Sequence, residues 1–217
     1  PEGEGFSAIA GMQDLKNLLY EEVIRAFSER ELFEKYGVTI PNGMLLYGPP
    51  GCGKTFIAEK LAEEVGFNFL QLKPSDMKSK YINESEEKIS AIFKSAEEKA
   101  PSIVFIDEFD AIAPSREGDL HAMYSNVVNE LLTQMSSCAE KGVFLIVATN
   151  RPDMIDPAII RTGRLDKIIY VPPPDDKARQ ELFDIHLKDR PGGFNLDVKK
   201  MSVLATGYMA MVINCII

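Results

Sequence analysis

Three cysteines in 217 residues, Cys52, Cys138 and Cys215, are too few and too scattered for a disulfide framework or a thiolate metal site. Their number is odd and no CxxC pair occurs, so free thiols in a reducing cytosol are expected. No apolar run approaches the roughly 20 residues that cross a bilayer. The longest, Val143-Phe144-Leu145-Ile146-Val147-Ala148, is strand-sized. The opening Pro1-Glu2-Gly3-Glu4-Gly5 has neither the basic start nor the apolar stretch of a secretory leader. A cytoplasmic location, or a nuclear one in a eukaryote, is the expectation. Lys/Arg clusters are also missing, and the formal net charge is −9, which leans away from a chain whose main task is to grip a nucleic-acid backbone. A local basic patch can still oppose the net charge, so this is a leaning only. Internal repeats and low-complexity tracts are absent. What is left is an ordinary globular composition, 45% hydrophobic and 26% charged, with chain enough for one large core and part of a smaller one.

The apolar rhythm changes along the chain. From Met12 to about Lys35, Leu15, Leu18, Leu19, Val23, Phe27 and Leu32 recur at helical spacing, with Gly37 as a stop and Pro41-Asn42-Gly43 as a turn. Short apolar runs at 44–47, 67–72, 103–106, 143–148 and 168–171 then read as strands. Helix-patterned segments at 54–65, 84–99 and 123–135 fill most of the gaps between them. Strands alternating with helices predict parallel crossovers and a sheet covered on both faces, an α/β doubly wound domain. Pro172-Pro173-Pro174-Asp175 is a stiff break, followed by a helix over 176–188 with Ala178, Leu182, Ile185 and His186 near one face. We place a domain boundary there: 1–172 as the large α/β domain, 173–217 as part of a small helical one. The apolar tail from Met209 to Ile217 is expected to pack somewhere or to be a cut edge.

Between the first strand and the next helix lies Gly48-Pro49-Pro50-Gly51-Cys52-Gly53-Lys54-Thr55, which satisfies G-x-x-x-x-G-K-[ST] in the strand–loop–helix context that the motif requires. Glycines let successive N–H groups turn inward toward phosphates, and the helix N-terminus adds its positive end. Lys54 brings a charge to the β- and γ-phosphates, and Thr55 a hydroxyl for Mg²⁺. With Phe56 directly after it, this loop is the nucleotide cradle.

Ile103-Val104-Phe105-Ile106 reads as a buried strand that ends in Asp107-Glu108. A carboxylate at the carboxyl end of a central strand beside the phosphate loop suits a Mg²⁺ ligand, the role given to Asp107. Glu108 can reach a water in line with the γ-phosphate and is the candidate general base. Asp110 reads as a helix cap or local hydrogen-bond partner rather than a catalytic group. The strand at 143–148 ends in Thr149-Asn150, which a parallel sheet brings to the same side, so Asn150 can touch the γ-phosphate or the attacking water. Thr-Asn at a strand end is also common turn chemistry.

Taken together, the phosphate loop, Ile103–Asp110, Ala148-Thr149-Asn150-Arg151-Pro152 and Ile155-Asp156-Pro157-Ala158-Ile159-Ile160-Arg161-Thr162-Gly163-Arg164-Leu165-Asp166 resemble the AAA ATPases of the AAA+ superfamily. The likeness runs from about Phe6 to Gly207 and is strongest to the archaeal and eukaryotic members that unfold proteins or disassemble complexes. It implies a P-loop NTPase fold, a parallel sheet between helices followed by the start of a small helical domain. It also implies a hexameric ring that hydrolyses Mg²⁺-bound ATP at subunit interfaces. Arg161 and Arg164 match the family's arginine fingers, which reach the neighbour's γ-phosphate. Lys80-Tyr81-Ile82 is similar to the central-pore loop that grips a polypeptide substrate, with Asn83 where many members have glycine. A second pore-facing loop falls at 114–121, including Arg116. Ile9-Ala10-Gly11 resembles the stretch lining the adenine, His186 a histidine near the ribose, and Gly207 a glycine of the small domain's nucleotide contact. One departure stands out: after Gly207-Tyr208 the family usually runs Ser-Gly-Ala-Asp, and this chain has Met209-Ala210-Met211-Val212. A loader or remodeller acting on nucleic acid is the alternative; a small-molecule P-loop kinase would need an arginine-bearing lid that the sequence does not suggest.

Overall fold

A computed structural model of the chain describes residues 3–38, 40–74, 82–111, 121–156, 159–160, 163–188, 190 and 196–216. Five strands form one parallel sheet: β1 (Gly43–Tyr47), β2 (Asn68–Leu72), β3 (Ser102–Ile106), β4 (Val143–Thr149) and β5 (Lys167–Tyr170), in the order β2-β3-β4-β1-β5. β3 and β4 are buried along their whole length, which is why they read as unbroken apolar runs rather than alternating ones. Register pairs Ile106 with Val147 and Tyr47 with Thr149, so the carboxyl ends of β1, β3 and β4 come out side by side.

Successive strand residues face opposite sides and feed two separate cores. Leu45, Val104, Ile106, Leu145 and Val147 pack with Ile89, Phe93, Leu131 and Met135. Those partners come from helices following β2 and β3 in the chain, Ile82–Glu98 and His121–Met135. On the other face Met44, Leu46, Ile103, Phe105, Phe144 and Ile146 pack with Leu15, Leu19, Val23, Ile57 and Leu61. These partners lie on the N-terminal helical stretch and on the helix Lys54–Val65.

We number the helices α1 (Gln13–Leu19), α2 (Arg25–Ser28), α3 (Arg30–Lys35), α4 (Lys54–Val65), α5 (Ile82–Glu98), α6 (His121–Met135), α7 (Asp176–Leu187), α8 (Val198–Leu204) and α9 (Ala210–Ile216). The single helix expected from Met12 to Lys35 is broken up. A π-turn at Tyr20–Ile24 separates α1 from α2, and Glu29 leaves helical geometry before α3. The helices expected at 54–65, 84–99, 123–135 and 176–188 and all five strands fall within two residues of their expected bounds, while α8 and α9 are not anticipated.

After β5 the chain builds a small helical unit. Asp175 caps α7 by accepting the Ala178 N–H at 2.7 Å. Buried Arg179 donates to the carbonyls of Pro174 (2.8 Å) and Ser202 (3.2 Å) and pairs with Asp176, tying the start of α7 to α8. Phe183, Leu187, Ala205 and Ile213 close a third, smaller core, so the apolar tail packs through Ile213. No helix among the described residues is long and apolar enough to cross a membrane.

Candidate functional site

At the carboxyl edge of the sheet a cleft of about 620 Å³ opens between the N-terminal segment, the loop Gly48–Thr55, and helices α7 and α9. Its size suits a small-molecule ligand. Of the residues singled out from sequence, Ile9, Pro50, Gly51, Cys52, Gly53, Lys54, Thr55, Phe56, Asp107, Glu108, Asn150 and His186 line it together.

The loop folds as it does because two of its glycines, Gly51 (φ +79°) and Gly53 (φ +84°), take left-handed conformations that carry little cost for glycine alone. Lys54 opens α4, and its ammonium is threaded back under the loop. It donates to the carbonyls of Gly48 (2.9 Å) and Pro49 (3.0 Å) and to Oδ1 of Asn150 (2.6 Å). Burial pulls its pKa below the ordinary lysine value, and Coulombic attraction to Cys52 once its thiol ionises, and to the Asp107 and Asp110 carboxylates, offsets part of that shift. The ammonium therefore sits at the bottom of the cleft, tied to oxygen acceptors from two strand ends.

Thr55 Oγ1 donates to Asp107 Oδ2 at 2.8 Å. Hydroxyl and carboxylate oxygen side by side form a hard-oxygen pair that fits Mg²⁺, with the remaining ligands left to phosphates and water. Glu108 follows at the strand end, exposed, with φ +47°, a conformation that costs a non-glycine residue about 1–3 kcal/mol. Two bonds hold it there. Its N–H donates to Asp107 Oδ1 (2.8 Å), and its carbonyl accepts the Ala111 N–H (2.9 Å).

The far end of the cleft is apolar and comes from distant parts of the chain. Leu182, Ile185 and His186 of α7 face it at i, i+3, i+4 spacing, and Ala210, Met211 and Asn214 of α9 join them. Sequence reasoning placed Leu182, Ile185 and His186 near one helix face without linking the two apolar ones to a ligand; it missed the α9 trio. Met211 donates its N–H to the Gly51 carbonyl at 3.1 Å, and Met209 Sδ lies 3.5 Å from Cys52 Sγ, so the departing tail sequence sits directly on the phosphate loop.

Several expected residues stand elsewhere. Gly11 and Pro49 do not line the cleft. Gly11 packs against α7, with its N–H on the Glu181 carboxylate. Gly207 is an exposed turn residue (φ +85°) between α8 and α9, and Ala210 and Met211 reach the cleft in its stead. Arg164 is likewise not a lining residue of its own chain's cleft. It rides on a turn fixed by Asp166, whose carboxylate accepts the N–H groups of Gly163 (2.6 Å) and Asn42 (2.8 Å). Arg161, Lys80, Tyr81 and most of 114–121 lie outside the described residues, and Ile82 starts α5.

The family model described as "ATPase family associated with various cellular activities (AAA)" matches residues 44–173. Protein SAV of Sulfolobus acidocaldarius is 44% identical over 201 residues, covering 92% of this chain and 26% of that protein. The Cell division cycle protein 48 homolog of Archaeoglobus fulgidus is 42% identical over 203 residues, 92% of this chain and 28% of its own length. The ATPase family gene 2 protein of Saccharomyces cerevisiae is 46% identical over 178 residues, 82% of this chain and 23% of its own. The chain thus spans about a quarter of the length of the relatives it matches.

Proposed function

Because the chain belongs to the AAA family of ATPases, we propose that it is the ATP-hydrolysing, Mg²⁺-dependent module of a hexameric motor that unfolds or disassembles proteins by threading them through a central pore. The observation that carries this reading is the convergence of Lys54, Thr55, Asp107, Glu108 and Asn150 on one cleft at the ends of β1, β3 and β4.

In this reading the loop N–H groups and Lys54 hold the β- and γ-phosphates. Thr55 and Asp107 hold Mg²⁺, which when bound neutralises charge on the phosphate oxygens. The Glu108 carboxylate takes a proton from the water that attacks the γ-phosphorus, releasing ADP and phosphate. Asn150, already bonded to Lys54, steadies that water or the γ-phosphate from the β4 side. Leu182, Ile185 and Met211 give the base an apolar slot, and Ile9 and His186 flank the nucleoside. Arg164 on its braced turn, with Arg161, serves the site of a neighbouring copy, where a permanently charged planar guanidinium stabilises charge on the transferring group. Lys80, Tyr81 and Ile82 form the pore loop that grips polypeptide. Residues 1–172 are the large domain and 173–217 part of the small helical one, and the module works in the cytoplasm or nucleus.

Glu108→Gln tests the catalytic core. ATP binding persists, and turnover falls by about a hundredfold or more, the usual worth of a general base. Undiminished hydrolysis would sink the assignment. Specific activity of the unaltered chain should also climb with protein concentration, since the arginines act across an interface. A flat profile from a monomer by light scattering refutes trans catalysis.

A further inference from the structure

The sheet ladder between β3 and β4 has its last partnered pair at Ile106 and Val147. The groups assigned to chemistry, Glu108 and Asn150, both lie beyond it, on tips that the ladder no longer aligns. Among the described residues a side-chain hydrogen bond crosses between those tips. Thr149 Oγ1 donates to Asp110 Oδ1 at 2.6 Å, within the range of a charge-assisted O–H···O⁻ bond. The same Thr149 oxygen accepts the Arg151 N–H at 2.9 Å. Asn150 is thereby held at the apex of a pinned turn, with Oδ1 directed at Lys54 Nζ (2.6 Å). Asp110 sits in the short 3-10 turn Phe109–Ala111, whose Ala111 N–H holds the Glu108 carbonyl (2.9 Å). Thr149 is 1% exposed, so its hydroxyl has no water to fall back on.

We infer that Asp110 and Thr149 are positioning residues for hydrolysis, a role that presupposes the hydrolytic reading of the same site given above. Together they lock the β3 tip carrying Glu108 to the β4 tip carrying Asn150, so that base and water-steadying amide keep one fixed separation. Glu108 is held in a left-handed conformation that it does not favour (φ +47°), and a loosened turn lets it relax away from the attack geometry. Small misplacements of such groups are costly to rate and cost much less in nucleotide binding, because Lys54 keeps its bonds to the Gly48 and Pro49 carbonyls and Thr55 its bond to Asp107, none of which involves Asp110 or Thr149.

Thr149→Val keeps the shape and deletes the hydroxyl. It should lower kcat by about tenfold with KM and the affinity for a fluorescent ATP analogue within about twofold. Thr149→Ser restores the hydroxyl and should return kcat to within about twofold of the unaltered chain. Asp110→Ala should match Thr149→Val, and the double variant should be no slower than either single one, because both remove the same bond. If Thr149→Val melts at assay temperature, Asp110→Ala, in a half-buried turn, carries the same test. Unchanged kcat in Asp110→Ala, a rise in KM alone, or a Thr149→Ser variant as slow as Thr149→Val overturns the assignment. If the unaltered chain does not hydrolyse ATP at any concentration, it is the ATPase reading itself that fails.

Discussion

A single added methyl at Gly11 should separate the two walls of the cleft. The N-terminal segment reaches α7 at this residue, and a Cβ built on it meets the Ala178 Cα at 2.7 Å and N at 2.9 Å, both backbone atoms of a helix that cannot swing aside. Gly11 also has φ +54°, where an L-residue is disfavoured by about 1–2 kcal/mol. Forcing the methyl into a packed contact adds about 1–3 kcal/mol. Gly11→Ala should therefore destabilise the native arrangement by about 2–5 kcal/mol, or shed that energy by lifting 9–12 off α7 and breaking the Gly11–Glu181 bond. In the second case Ala10 and Met12 part from Leu182, Ile185 and His186, and that end of the cleft opens. Thermal melts with and without ADP, beside titration of a fluorescent ATP analogue, separate the two outcomes. The melting temperature should drop, or nucleotide affinity should fall by at least about tenfold, about 1.4 kcal/mol. A Gly11→Ala chain with unaltered melting and affinity within about twofold would refute this account of how the segment and α7 are joined.

Two further outcomes follow from buried groups. Lys54→Met should cut ATP affinity by at least about tenfold while leaving the nucleotide-free melting temperature nearly unchanged, because the lost hydrogen bonds are offset by no longer burying a charge; a large loss of stability would contradict that balance. Burial pushes the Cys138 thiol from its ordinary 9.0 to about 12, so the folded chain keeps a proton that the unfolded chain loses. Its contribution is complete below pH 9 and drains away as pH rises toward 12. The stability gap between the unaltered chain and Cys138→Ala in urea should narrow by about 2 kcal/mol between about pH 8 and about pH 10.5; a constant gap refutes the shift.

The sheet was readable because its burial is written in local patterns. Ile103–Ile106 and Val143–Ala148 are apolar at every position because both faces are covered, and α4 and α6 repeat at helical spacing. The phosphate loop was readable because its chemistry is contiguous. What escaped notice depends on residues far apart in the chain. Thr149 and Asp110 are 39 positions apart, and neither position alone predicts their bond. Ala210 and Met211 reach the cleft in the stead of Gly207 because α9 begins at Ala210 and its Met211 N–H meets the Gly51 carbonyl, a contact set by docking of the small helical unit. The π-turn at Tyr20–Ile24 left no mark on the apolar spacing of Leu15, Leu19 and Val23, since one extra backbone residue barely shifts the buried stripe.

Ala8, Ile9, Ala10 and Met12, the loop Pro50–Thr55, the ends of β3 and β4, α7 and α9 border one cleft, although nearly the whole length of the chain separates the first from the last. A ligand that fills the cleft bridges these pieces and favours the folded arrangement over the unfolded one. On the function proposed above, nucleotide is a thermodynamic staple for this chain: at about a hundred times its Kd it adds about 2.7 kcal/mol to the folded state. That is a large share of the about 5–15 kcal/mol that holds an ordinary domain together. On that reading the chain's lifetime against unfolding and proteolysis is tied to the adenine-nucleotide concentration around it, and nucleotide starvation would loosen the fold.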